Sequence, residues 1–419
     1  IIDLLNFKLL KYLPKYGFLR SRFSYIVVFF FSIFKLHKIL KKDKPEYLII
    51  HLMTFIPLLL LLFFNYDKFG NTHSPVFILF LSLLIENNEI FGRILYILIS
   101  SLLPITIFLI LKIKFKKNDL LLFFLSHLVL LSPYYRAVAI WPGDETISLI
   151  FLSCSIYFYL KFQIKNSFQS RLQFMLLNIF CLALTCYFRP VYCFFGIFFF
   201  YEFFKNFNQR LFLYYLLLNF ILSFPALYYI FYLDVNFFKS SIAGFNLINS
   251  FTLAYLTIFF YILPFIIIYR NKINLLEINF MDFLILLIFS ILVIFFFDYK
   301  LSTGGGFFYY LSNIFFKNNI IIYVIFPFAF YFTNNFLQTK KLNNFLLVCV
   351  LIMLEIDGQF YVETYDPLLL ILIFSLFKIN FNALFFNNLL TRNTKILSTF
   401  ILFILILKSF QTQLSIIIE

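Results

Sequence analysis

Charge is scarce in this sequence: 13% of its 419 residues are charged and 63% are apolar, where a soluble domain carries about 25% charge. A chain so poor in ionisable groups cannot cover itself for water. With 10 Gly and 12 Pro it is neither collagen-like nor a flexible low-complexity linker. The five cysteines (Cys154, Cys181, Cys186, Cys193, Cys349) form no CxxC pair and have no companion histidines, so disulfide frameworks and zinc sites are set aside and the thiols are read as core residues. The chain begins without Met and without a short cleavable signal, and we read it as an internal stretch of a longer gene.

What is abundant is Phe, at 69 residues, with aromatics reaching 23%. Much of this follows from AT-rich codon usage and carries no functional weight. Apolar runs near the 20 residues needed to cross a bilayer predict an all-α, polytopic transmembrane bundle. Its 13 candidate spans lie near 47–64, 94–111, 120–133, 144–160, 172–188, 190–204, 211–233, 250–269, 279–297, 319–337, 342–356, 367–377 and 396–408. The expected organisation is a basic cytoplasmic segment 1–46, a multi-span domain 47–411 and an external tail 412–419, with external loops at 65–93, 134–145, 234–250, 298–318 and 355–367.

The net charge of +15 is a topology signal, because Lys and Arg near span ends are retained in the cytoplasm. Alternate connectors carry Lys112, Lys114, Lys116 and Lys117; Lys161, Lys165 and Arg171; Lys205 and Arg210; Arg270 and Lys272; Lys340 and Lys341; Lys378, Arg392 and Lys395. The facing connectors carry fewer: Lys68, Arg93, Arg136, Arg189, Lys239, Lys300, Lys317 and the tail-proximal Lys408. The expectation is a cytoplasmic N-terminus in an integral membrane protein of the bacterial inner membrane, with membrane lipids as surroundings and no nucleic-acid partner.

The acids and the single Trp gather on the predicted external side, where a polar cavity opening outward would account for them. Asp67 and His73 follow the first strong span, and a carboxylate there could act as general base toward a hydroxyl. Arg136 is an external arginine, suited by its planar fork of donors to phosphate. Trp141-Pro142-Gly143-Asp144-Glu145 ends a connector and opens a helix with carboxylates favourable to its dipole. Arg189 stands between two apolar runs with Pro190 after it, and a cation at that depth is a functional candidate by default. Lys300 precedes Gly304-Gly305-Gly306, whose backbone could turn amides toward an anion. In Glu355–Pro367, Tyr361 and Tyr365 stand among Glu363, Asp366 and two further acids. This loop could hydrogen-bond sugar hydroxyls or hold a divalent cation, Mg or Mn, through oxygen ligands.

His73-Ser74-Pro75-Val76-Phe77, then Arg93, Ser132-Pro133-Tyr134, Asp144 and Arg189 in that order, resemble the landmarks of GT-C-type integral membrane glycosyltransferases. The late segment Tyr361–Pro367 is loosely similar to a loop of lipid-linked-oligosaccharide alpha-1,2-glucosyltransferases. The resemblance implies an inverting transferase that moves a sugar from a polyprenyl-phosphate-linked donor to a lipid or glycan acceptor at the external leaflet. It implies Asp67 as base, Arg136, Arg189 and Lys300 at the donor phosphate, and His73, Trp141, Asp144, Tyr361, Glu363, Tyr365 and Asp366 around sugar and acceptor, with no fixed metal ligands. Residues 44–52 separately resemble a strand-to-helix unit of soluble nucleotide-sugar transferases, though they also read as a basic lead into the first span. An O-antigen polymerase or ligase, or a transporter or flippase, are the competing classes. The first would concentrate its arginines in one or two large external loops, and the second would show broken helices in repeated halves.

Overall fold

The computed structural model describes residues 89–115, 119–127, 129, 132–140, 143–205, 209–228, 246–269, 279–300, 304–355 and 360–379. These residues are mostly helical, with no strand among them. In chain order the helices are α1 (Glu89–Ser100), α2 (Leu102–Lys114), α3 (Asp119–His127), α4 (Pro133–Ile140), α5 (Asp144–Ile164), α6 (Phe168–Phe188), α7 (Phe195–Phe204), α8 (Gln209–Tyr228), α9 (Leu247–Tyr269), α10 (Phe280–Phe296), α11 (Gly306–Phe316), α12 (Ile320–Leu337), α13 (Leu342–Met353) and α14 (Leu368–Ser375). Five stretches among the described residues are long and apolar enough to cross a membrane: Leu95–Lys114, Asp144–Ile164, Phe168–Phe188, Leu247–Ile267 and Ile320–Leu337. The chain is therefore an α-helical protein with the make-up of an integral membrane protein.

Each of these five stretches overlaps an expected span within a few residues at either end. The shorter helices α7, α8, α10 and α13 also fall on the expected spans 190–204, 211–233, 279–297 and 342–356, and the departures lie in the remaining segments. The segment 120–133 yields the nine-residue α3, and α4 starts at its last residue, where Ser132 caps the new helix by accepting a bond from the Tyr135 amide at 2.9 Å and Pro133 suits the first helical position. Much of the expected loop 134–145 is thus helix, as is Gly306–Phe316 within the expected loop 298–318. Segment 367–377 yields the eight-residue α14, roughly 12 Å long and too short to cross the hydrocarbon core alone.

The longest packing interface joins α5 and α6, neighbours linked by the short 165–167 turn. With lipid on the outside, apolar contact alone gives helices little reason to associate, so small residues and interhelical hydrogen bonds hold them. Here the buried Asn178 of α6 donates to the Ser155 carbonyl at 2.8 Å and to its hydroxyl at 2.7 Å. Further along, Tyr159 and Phe162 of α5 meet Phe198, Phe199 and Phe203 of α7 edge to face. A second layer forms where α9 packs on α12, α11 and α13.

Polar side chains collect at the two ends of the bundle. At one end Glu202, 2% exposed, takes Lys378 at 3.1 Å and Gln163 at 3.4 Å, with Tyr159 bonded to the same carboxylate. Lys114 donates to the Ser375 and Phe377 carbonyls at 2.6 and 3.2 Å, Lys205 reaches Asn343, and Lys341 reaches the Lys378 carbonyl. Gln163 lies nineteen positions along α5 from Asp144, which at 1.5 Å per residue separates this lysine-rich end from the opposite one by roughly 28 Å.

Candidate active site at the carboxylate end

The opposite end begins with the way α5 starts. Gly143 is extended and leads straight into Asp144 and Glu145, two carboxylates placed where the helix dipole favours them. The buried Tyr96 hydroxyl fixes this entry by donating to the Gly143 carbonyl at 2.7 Å and accepting from its amide at 3.1 Å. A Cβ at Gly143 would stand 2.6 Å from Glu145 Oε2, so glycine is what lets this carboxylate lie back over the turn.

Arg189 enters from the end of α6. Its backbone is extended and donates to the Thr185 carbonyl at 2.9 Å, after which Pro190 starts a short 3-10 turn leading into α7. The side chain, 15% exposed, points inward and makes direct contact with Glu145. It lies 3.9 Å from both Asp144 and Glu355, and donates to the Thr364 hydroxyl at 2.9 Å. Its guanidinium carbon sits 5.8 Å from the Tyr192 ring centre. Burial alone would lower its pKa, but the fields of Glu145, Tyr192 and Asp144 hold it well above the ordinary arginine value.

Glu355 comes from the turn after α13. A carboxylate at a helix C-terminus opposes the dipole, and here it is compensated by Arg189, by the Thr364 hydroxyl bonded to Oε1 and by the Tyr361 amide at 3.3 Å from Oε2. The following loop is held from beneath by Tyr365, which donates to the Leu351 carbonyl at 2.8 Å and stacks on Phe360. The triglycine closes on the same loop: the Gly305 amide donates to the Phe360 carbonyl at 2.9 Å, and the Tyr299 hydroxyl accepts the Phe360 amide at 3.2 Å. Gly304, Gly305 and Gly306 all have φ of +84°, a conformation that side chains resist. Burial pushes the Tyr299 phenol up to about 12.

Of the residues expected in the site, Arg189 and Asp144 come together directly. Tyr365 is buried beneath the same loop, Asp366 is 1% exposed beside it, and Tyr361 is 40% exposed at its edge. Lys300 lies exposed next to Tyr299 and pairs with none of the described carboxylates. Arg136 sits on α4, but its side chain lies outside the described residues, as does that of Glu363; Asp67, His73 and Trp141 fall wholly outside them. Glu145, Glu355 and Thr364 are the contributors that sequence reasoning did not place. The available signals were the carboxylate next to Asp144 and an acid directly after an apolar run that ends in a helix C-terminus. Among the described residues no group of three His, Cys, Asp or Glu is arranged to hold a metal ion.

The arrangement gathers one guanidinium and three carboxylates from three stretches far apart in the chain. It can polarise and orient hydroxyl groups and accept a proton from one, and its single cation offers one planar edge to an anion. No protein-family profile, curated protein or solved structure matches this chain.

Proposed function

We propose that the chain is a membrane glycosyltransferase of the GT-C type, with about 13 spans and its N-terminus and lysine-rich end in the cytoplasm of a bacterium. On this reading it moves a sugar from a polyprenyl-phosphate donor to a lipid-linked or cell-envelope acceptor at the external leaflet. The observation that supports it is the convergence of Arg189 with Asp144, Glu145 and Glu355 at the end remote from the lysines. Ionisable groups brought together at membrane depth are costly and mark function.

In the proposed reaction the acceptor hydroxyl oxygen attacks the anomeric carbon as the bond from that carbon to the phosphate oxygen breaks. The acceptor proton passes to a carboxylate, and polyprenyl phosphate leaves carrying the charge. Asp67 is the proposed base; Arg136 and Arg189 stabilise the departing phosphate, with Lys300 a further donor. His73, Trp141, Asp144, Tyr361 and Glu363 face sugar and acceptor, while the buried Tyr365 and Asp366, expected beside them, support the loop that carries Tyr361. Glu145 and Glu355 orient the Arg189 fork.

The test reconstitutes the full chain in liposomes with a panel of radiolabelled polyprenyl-phosphate hexoses and reads both polyprenyl phosphate release and label in acceptor lipid. Release is expected for at least one donor and is expected to fall by about a hundredfold or more in Arg189→Ala, the range for losing one transition-state donor. Movement of labelled lipid across the bilayer without cleavage would replace this reading by a flippase. Wild-type turnover in Arg189→Ala would remove Arg189 from the site.

A further inference from the structure

A cavity of about 620 Å³ lies between α9, α10, α12 and α13, away from Arg189. Its size falls in the range of small-molecule sites, about 300–1,000 Å³. The walls are apolar along their length, built from Phe251, Phe289, Phe330, Val348 and Ile352. It is flanked by α10, whose outward residues Ile288, Ile291, Ile294 and Phe295 are 44–77% exposed, as expected of a helix bathed in lipid.

One end of the cavity is polar, and it is the lysine-rich end. There Lys340 bridges to Asp282 at 2.7 Å, and Asn334, Asn335 and Thr339 complete the rim. The Asn334 carbonyl oxygen is engaged by the Tyr255 and Thr339 hydroxyls, each at 3.0 Å. The mouth is therefore neutral overall, its ammonium paired with a carboxylate, and the two carboxamides give it an excess of hydrogen-bond donors. On α10 the lining runs from Asp282 to Val293, eleven positions or roughly 16 Å. That is close to one leaflet, half of a hydrocarbon core about 30 Å thick.

We infer that this groove binds one acyl chain of an anionic glycerophospholipid from the leaflet on the lysine side, with the phosphate at Lys340. Two features select this occupant. Length matches a single-leaflet chain, whereas a long isoprenoid tail would outrun it; and the donor-rich rim at the tail's outer end complements a phosphate. The site lies at the other end of the bundle from Arg189 and does not depend on the transferase reading.

The experiment places the full chain in phosphatidylcholine nanodiscs containing a small fraction of phosphatidylglycerol with a diazirine at the tip of one acyl chain. After photolysis the adducts are mapped by peptide mass spectrometry. Adducts are expected at the deep end of the groove, around Leu292, Val293 and Met353. Their yield is expected to fall about fivefold in Lys340→Gln, the worth of one lysine beside an anionic head group, and to vanish in Cys349→Trp, which fills the groove. Lys340 is 68% exposed at its side chain, so its variant keeps the fold and preserves the test even where the Trp variant does not assemble. Sugar transfer is not read at all, so failure here is separate from failure of the transferase proposal. Three results would overturn the inference: adducts spread evenly over α10 out to Phe295, equal yields from a phosphatidylcholine probe, or capture of a photoactive isoprenyl phosphate instead.

Discussion

Removing the Arg189 guanidinium should cost more than the loss of any one of its contacts. Its side chain and those of Asp144, Glu145 and Glu355 are 15%, 11%, 19% and 4% exposed, so a neutral residue at 189 strands three carboxylates in a site that water reaches poorly. Breaking a buried pair by deleting one partner costs about 3–5 kcal/mol, most of it the uncompensated charge that remains. Against a total stability of about 5–15 kcal/mol that is severe, and for a chain of 419 residues it corresponds to a melting temperature lower by roughly 3–6 °C. The size of the effect alone does not identify its cause. The diagnostic is a rescue: Arg189→Met combined with Glu145→Gln and Glu355→Gln removes two of the three stranded charges, and should melt closer to wild type than Arg189→Met alone. Thermal unfolding in detergent, followed by size-exclusion recovery, measures both. Additive losses in the triple variant, or a single variant within a degree of wild type, would refute the electrostatic account of this site.

Gly143→Ala leaves the fold of α5 intact but pushes the Glu145 carboxylate off the turn it occupies, since the new Cβ would stand 2.6 Å from Oε2; stability should fall by about 1 kcal/mol, while transfer activity drops far more than Tm. Equal proportional losses of both would show that Glu145 placement is immaterial to catalysis. Asn178→Leu removes the two bonds that α6 makes to Ser155, and detergent-resistant unfolding should register about 0.6–1.7 kcal/mol, the measured range for such bonds in membrane helices. A variant as stable as wild type would mean that packing, not this amide, sets the α5–α6 register.

The helices that sequence periodicity and hydropathy located are those whose ends are set by charge or capping residues in the chain itself. Asp144 opens α5 and Lys161 to Lys165 close it, and Pro190 ends the run of α6. Hydropathy failed where a short helix follows a span: Ser132-Pro133, at the end of the expected span 120–133, starts a new helix in what reads as a loop. Arg189 and Asp144 were legible as anomalies, each being a charge next to an apolar run. Their meeting was not, because Glu355 is 166 positions from Arg189 in the sequence and only the packing of α7 on α13 brings the two elements side by side. Thr364 carried no signal of any kind; a hydroxyl earns its place here through the turn that aims it at Arg189.

The charge balance of the site refines the roles proposed for it. With one guanidinium against three carboxylates, the ensemble is anionic when all four groups are ionised, and a phosphate approaching it meets net repulsion. Arg189 has its Nη1 side turned to Glu145 and its Nη2 side to Thr364, so both ends of its fork already face groups of the site itself. Under the transferase proposal this favours a division of labour: Arg189 holds the carboxylates of α5 and of the 355–366 loop in fixed positions toward sugar and acceptor, and the larger share of phosphate neutralisation falls to Arg136. Swapping the charges tests the division. Arg189→Lys keeps the cation but loses the fork that grips Glu145 and Thr364 together, and on this view it raises the KM for acceptor more than that for donor. A selective rise in donor KM would return the phosphate to Arg189.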